Sequence, residues 1–120
     1  MKNWIMGALA ALALLLSGAA YAGEQDFDLI NDTGFAIEHV FVSPVRKDTW
    51  GRDVLGRAIL QNGEFAGITF PDRRRACRWD MKVVYHDGRG ATWHDLNLCQ
   101  ISKVTLHWNP NTGETTARLQ

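Results

Sequence analysis

A basic excess, a helical spacing of apolar residues, a membrane-length apolar run and any compact catalytic signature are all missing from this sequence, and each absence removes a class of protein. Lys and Arg number 13 against 13 Asp and Glu, so binding to nucleic acid by counterion release, which needs a clear positive surplus, is not expected. No G-x-S-x-G, H-E-x-x-H or phosphate-cradling glycine loop occurs, and with them go the common routes to a serine hydrolase, a zinc protease or a nucleotide site. The four histidines, His39, His86, His94 and His107, lack the tight pair spacing of a structural zinc site, and they read as surface side chains. No D-x-D-x-D-G repeat marks a calcium loop. Asp48 and Asp53 flank Trp50 in a segment that could offer carbonyl oxygens, but Arg46, Lys47 and Arg52 crowd them. No cofactor is expected.

The start of the chain carries the next clue. Ile5 to Ala20 is apolar except for Ser17, and Ala20-Tyr21-Ala22 has the small-x-small form of a signal-peptidase site. The run is shorter than the ~20 residues a spanning helix needs. No cysteine follows Leu16-Ser17-Gly18, so a lipoprotein anchor is not expected, and no twin-arginine pair precedes the apolar core. Residues 1–22 are therefore expected to be a cleaved signal peptide, and residues 23–120 a single periplasmic or secreted domain of 98 residues. An oxidising compartment then pairs the only two cysteines, Cys77 and Cys99.

From residue 23 onward the apolar residues alternate, and turn formers recur between the runs. Phe27 and Leu29 alternate with Asp26 and Asp28 before Asn31-Asp32-Thr33-Gly34, and Phe35 to Val42 follows, with Ile37 and Phe41 on one face and Val40 and Val42 on the other. This reads as a hairpin. Glu64 to Phe70 is a further strand between Asn62-Gly63 and Pro71. Trp79 to Tyr85 and Ala91 to Leu98 face each other across His86-Asp87-Gly88-Arg89-Gly90, and the midpoint of the two cysteines falls on Gly88. An antiparallel hairpin turning there sets the cysteines opposite one another. Strict register pairs Met81 with Asp95 and Val83 with Trp93; the first pairing is poor, so a bulge near Asp95 to Asn97 is expected to turn Leu96 and Leu98 inward. Ile101 to Trp108 is a strand, Asn109 to Gly113 a turn, and residues 109–120 end as an edge strand or a mobile tail. Seven or eight short strands with no convincing helix predict an all-β fold, an antiparallel two-sheet sandwich with one disulfide.

Function is read from what such a scaffold leaves in its loops. Trp50 lies beside Gly51 among charged residues, either as a plug over one end or as an aromatic contact for a ligand. Arg73, Arg74 and Arg75, with Arg78 behind them, could grip an anionic group, or could be a solvated loop. The expected activity is a non-enzymatic binding module for a protein or glycan partner, with loops 43–57 and 71–76 as the contact surface. The alternatives are a small periplasmic hydrolase using exposed carboxylates and a histidine, and a calcium-binding loop domain.

Taken together, Asn31-Asp32-Thr33-Gly34, Val42-Ser43-Pro44, Trp50-Gly51-Arg52-Asp53-Val54-Leu55-Gly56, Cys77-Arg78-Trp79-Asp80 and the run Leu98 to Leu106 give a chain that resembles a group of small exported bacterial proteins. Automatic labels in that group include Tat-pathway signal protein and argininosuccinate lyase. The resemblance implies the fold and the compartment and supplies no catalytic residue. The lyase label implies a large helical tetramer, which a 98-residue β chain cannot form.

Overall fold

The structure, a computed structural model, describes residues 25–45, 49–70 and 76–120. The expected signal peptide, Asp48, and the arginines Arg73, Arg74 and Arg75 lie outside the described residues. Seven strands form two sheets among the described residues: β1 (Phe27–Asp32), β2 (Ile37–Pro44), β3 (Phe65–Ile68), β4 (Arg78–Tyr85), β5 (Gly90–Asn97), β6 (Lys103–Asn109) and β7 (Glu114–Leu119). One sheet runs β3-β1-β6-β7 and the other β2-β4-β5. This is the expected two-sheet sandwich, and the C-terminal segment is its edge strand β7.

Alternation builds the core. Phe27, Leu29, Ile68, Val104 and Leu106 point inward from the larger sheet, and Ile37, Val40, Trp79, Met81, Val83, Tyr85 and Leu96 from the smaller. Leu60 and Leu98 fill in from the connections. Burial of this apolar set is the main favourable term in folding. Trp79 lies under Phe70, with ring centroids 4.6 Å apart, and its indole N–H donates to the carbonyl of Ala76 at 2.8 Å.

The hairpin around Gly88 forms as read. Cys77 and Cys99 are bonded, with their Cα atoms 5.1 Å apart, inside the range a bridge requires. The register differs from strict symmetry, because Met81 pairs with Trp93 and Val83 with Ala91. One extra residue in β5 then restores the offset: His94 and Asp95 together oppose Asp80, Asp95 takes a positive φ of 60°, and its amide donates to Asp80 Oδ1 at 2.9 Å. The bulge turns Leu96 inward, and Leu98 is buried in the short 3-10 turn Leu98–Gln100 that follows.

Three expectations are corrected. First, β1 and β2 do not pair: β1 lies between β3 and β6, whereas β2 pairs with β4, so Asn31 to Phe35 carries the chain from one sheet to the other. Asn31 explains the crossing. It is fully buried, and its Nδ2 donates to the carbonyls of Phe35 at 2.7 Å and Leu60 at 2.9 Å, which pins the turn to the segment arriving at Ile37. Second, Ile37 and Val40 both face the core, because an irregularity between Ile37 and His39 resets the alternation and leaves Glu38 and His39 together on the outer side. Third, β1 and β6 run parallel, the single departure from antiparallel pairing among these strands.

Candidate functional site

The two ends of the sandwich differ. The end that holds Trp50, Arg78 and the disulfide was the expected contact surface. Residues 50–60 there turn back along the side of the molecule and are bound down: the Val54 amide donates to the Val40 carbonyl at 2.8 Å, and Leu60 exchanges backbone bonds with Ile37. Asp53 is the clamp. Its Oδ1 accepts from the amides of Val40 and Leu55, each at 3.0 Å, and its Oδ2 lies 2.7 Å from His39 Nδ1. Burial raises the pKa of this carboxyl, but the bonds from Val40, His39 and Leu55 outweigh it and hold the group below its ordinary value. Asp53 therefore spends its oxygens on fixing the chain. Trp50 is half-buried and makes no ring contact among the described residues. Arg78 is exposed and reaches Asp95, Nη1 to Oδ1 at 3.5 Å. The structure does not bring Trp50 and Arg78 into contact.

The opposite end assembles a site that the sequence did not single out. Phe35 from the β1–β2 crossing, Tyr85 at the end of β4 and Trp108 near the end of β6 pack edge to face. Their centroids are 5.5 Å apart for Phe35–Trp108, 6.0 Å for Phe35–Tyr85 and 6.3 Å for Tyr85–Trp108, with interplanar angles of 82°, 75° and 88°. Such arrangements place a positive ring edge on a negative face. Arg89, from the β4–β5 turn, lies over two of the rings, its Cζ 5.1 Å from the Trp108 centroid and 5.9 Å from that of Phe35. Asp87 steadies it, with Oδ2 2.7 Å from Arg89 Nε and Oδ1 3.0 Å from the Arg89 amide. The amide bond is the main reason the Asp87 carboxyl titrates below its ordinary value; the arginine side chain adds to it, against a smaller opposing effect of desolvation. The Tyr85 and Thr115 hydroxyls are hydrogen-bonded.

Beside this cluster opens a cleft of about 440 Å³, lined by Tyr85, Arg89, Gly90, Ala91, Trp108, Gly113, Glu114 and Thr115. Local sequence explains how it forms. Gly88 and Gly113 take positive φ values of 90° and 75° in the two turns that carry Arg89 and Glu114. The Asn109 carbonyl accepts from the Gly113 amide at 2.8 Å and closes the second turn. Phe35 remains 41% exposed although it sits against two other rings. Sequence reasoning missed the cluster because Phe35, Arg89 and Trp108 come from three segments far apart in the chain. In sequence the Arg89 segment reads only as turn chemistry.

Every histidine sits beside a carboxylate: His39 by Asp53 and Glu38, His86 by Glu38 at 3.2 Å, His94 by Asp80 at 3.3 Å and His107 by Asp32 at 3.4 Å. The clefts described, at residues 55–66, 85–115 and 52–69, are lined by no histidine. Among the described residues no three or more His, Cys, Asp or Glu side chains are placed to hold a metal ion.

Fold and site together define a small disulfide-bonded β-sandwich with an aromatic cleft at one end. No family model matches the chain, and no curated protein matches it. It is similar to the NMR structure of a protein from Eubacterium rectale, with a TM-score of 0.55 and 13% identity, over 87% of this chain and 93% of that one. That likeness extends to the fold alone.

Proposed function

We propose that this chain is an exported, non-enzymatic binding module whose ligand, a glycan, is held in the cleft beside Arg89. The observation that carries the reading is the ring trio, with Arg89 over two of its members, next to a cleft whose volume lies in the roughly 300–1,000 Å³ range of small-ligand sites. Aromatic faces suit the C–H faces of a sugar. The Asp87–Arg89 pair and Thr115 offer hydroxyl partners with little net charge. The disulfide and the lack, among the described residues, of any helix able to cross a membrane are compatible with a periplasmic or secreted address. Export with cleavage after Ala22 belongs to the same proposal, and the mass of the mature product checks it.

The test is titration with neutral oligosaccharides, read by the amide shifts of residues 85–91 and 113–115, alongside affinity capture from periplasmic extract. Arg89→Ala and Trp108→Ala should lose the ligand or partner while keeping the fold. Binding that survives both and is lost in Trp50→Ala would move the site to the other end.

One observation favours the alternative, a small hydrolase: His39 is oriented by Asp53 at 2.7 Å, as a general base would be. It sits on an open outer face, 42% exposed. Ester or glycoside hydrolysis abolished by His39→Ala would establish that reading.

A further inference from the structure

Two open sheets have four edges, and three of them are guarded. The β2 edge is covered by residues 50–60. β3 has only four residues, and the segment 55–60 lies beside it. β5 is broken by the bulge at Asp95. Short strands, covers and bulges are the ordinary means of stopping edge-to-edge pairing. β7 has none of these. It pairs with β6 without interruption from Glu114 to Leu119, carries no proline or lysine, and has no strand on its outer edge among the described residues.

The geometry points to β7 as a self-association edge, through which two copies of this chain pair antiparallel, with Glu114 of each facing Arg118 of the other. Backbone parity comes first. Lys103 and Gln120 exchange both of their backbone bonds, so Arg118, Thr116 and Glu114 also bond toward β6, and Thr115, Ala117 and Leu119 aim their N–H and C=O groups outward. Two such edges meet only where outward residues oppose outward residues, which forbids one-residue slips.

Charge then selects among the registers that remain. With Thr116 on the two-fold axis, Thr115 exchanges bonds with Ala117 of the second copy, and Glu114 falls opposite its Arg118, twice over. Sliding by one allowed step toward the C-terminus sets Arg118 against Thr116 and Glu114 against Gln120, and the complementarity is lost. Glu114, Thr116 and Arg118 all lie on the exposed face of the strand. Neither Glu114 nor Arg118 has an ion-pair partner among the described residues. The pairing would join the two four-stranded sheets into one of eight strands. It stands whether or not the cleft takes a ligand.

The experiment is sedimentation of the full chain, expressed with its own N-terminal segment and purified from the periplasm, from about 1 µM to about 1 mM. Monomer and dimer are expected in concentration-dependent exchange. Arg118→Glu alone and Glu114→Arg alone should each weaken association by roughly tenfold or more, since each sets two like charges across the strand pair. Mixing the two variants should restore it as a heterodimer, because the first then carries an acid at both positions and the second a base at both, so that each facing pair is again one acid and one base. Unchanged urea midpoints for both variants would show that the monomer is intact. The proposal is overturned by a monomer throughout, by an association indifferent to either reversal, or by variants that fail to recover on mixing.

Discussion

Asn31 is the residue on which the crossing between the sheets depends, and its replacement gives a quantitative test. The side chain has no exposure and makes four bonds: two donated to the carbonyls of Phe35 and Leu60, and two accepted, from the Thr33 amide at 3.1 Å and the Thr33 hydroxyl at 2.7 Å. At about 1 kcal/mol per bond the sum is about 4 kcal/mol. Both carbonyls still find a donor once the amide is gone: Leu60 keeps the Ile37 amide, and the Thr33 hydroxyl, released from Oδ1, turns its one hydrogen to Phe35, which lowers the expected cost of Asn31→Ala to about 2–4 kcal/mol. Asn31→Asp, almost the same shape, should cost more at pH 7, because it aims carboxylate oxygens at two carbonyl oxygens.

The pH dependence of the second variant separates this account from simple loss of packing. A buried carboxyl facing carbonyls holds its proton to higher pH than the same group in the unfolded chain, near ~3.9. Between those two values the folded state binds more protons, so stability falls as pH rises. Asn31→Asp should therefore approach Asn31→Ala in stability near pH 4 and drop below it by pH 8. Urea unfolding followed by tryptophan fluorescence, with the disulfide intact, measures both. A cost for Asn31→Ala below about 1 kcal/mol, or an Asn31→Asp cost identical at pH 5 and pH 8, would refute the reasoning.

Replacing Cys77 and Cys99 together by alanine should lower stability by roughly 3 kcal/mol in urea, with the strand pattern kept by circular dichroism. Gly90→Ala should cost more than about 2 kcal/mol in the same assay, since a Cβ there would stand 2.5 Å from the Val83 carbonyl oxygen on the paired strand. Asp53→Asn should weaken the molecule at neutral pH and less so in acid. The carboxyl of Asp53 titrates below its unfolded value, so its contribution is present above about pH 4 and fades as pH falls through the folded value. The difference between parent and variant, measured by unfolding from pH 7 down to pH 3, should shrink accordingly.

The parts of the fold that were legible are those in which two local signals coincide. Turn chemistry and cysteine spacing both centre on Gly88, and the poor Met81–Asp95 pairing announced the β5 bulge, although the strands slid to a different register to reach it. The β1–β2 crossing was misread because Asn-Asp-Thr-Gly serves a hairpin and a sheet-to-sheet connection alike; the decision rests with a long-range bond, Asn31 to Leu60. The parallel β1–β6 pair is likewise non-local and leaves no periodic mark. For the site, Arg89 reads in sequence as one more turn residue, and Trp108 as a strand residue that alternation puts on the same face as Val104 and Leu106. Only the fold brings both beside Phe35.

Long-range bonds also set how readily each end of the sandwich could rearrange around the proposed ligand. Drawing residues 52–55 away from β2 to embrace a partner would break the bonds that join Asp53 to Val40 and His39, and the bond from Val54 to Val40, while the Leu55–Asp53 bond travels with the segment. At about 1 kcal/mol for each of the three, that rearrangement costs roughly 3 kcal/mol, which would weaken binding there by more than about a hundredfold. The turns that carry Arg89 and Glu114 are tied down by fewer such bonds, chiefly the His86 amide to the Ala36 carbonyl at 3.0 Å and the Tyr85–Thr115 hydroxyl pair. Their internal bonds, Asp87 to Arg89 and Asn109 to Gly113, travel with them if they shift. A ligand bound beside Arg89 would meet a guanidinium already seated on two aromatic faces. Of the two ends, the one that holds residues 52–55 is thus the stiffer, and the Arg89 turn is the more adaptable.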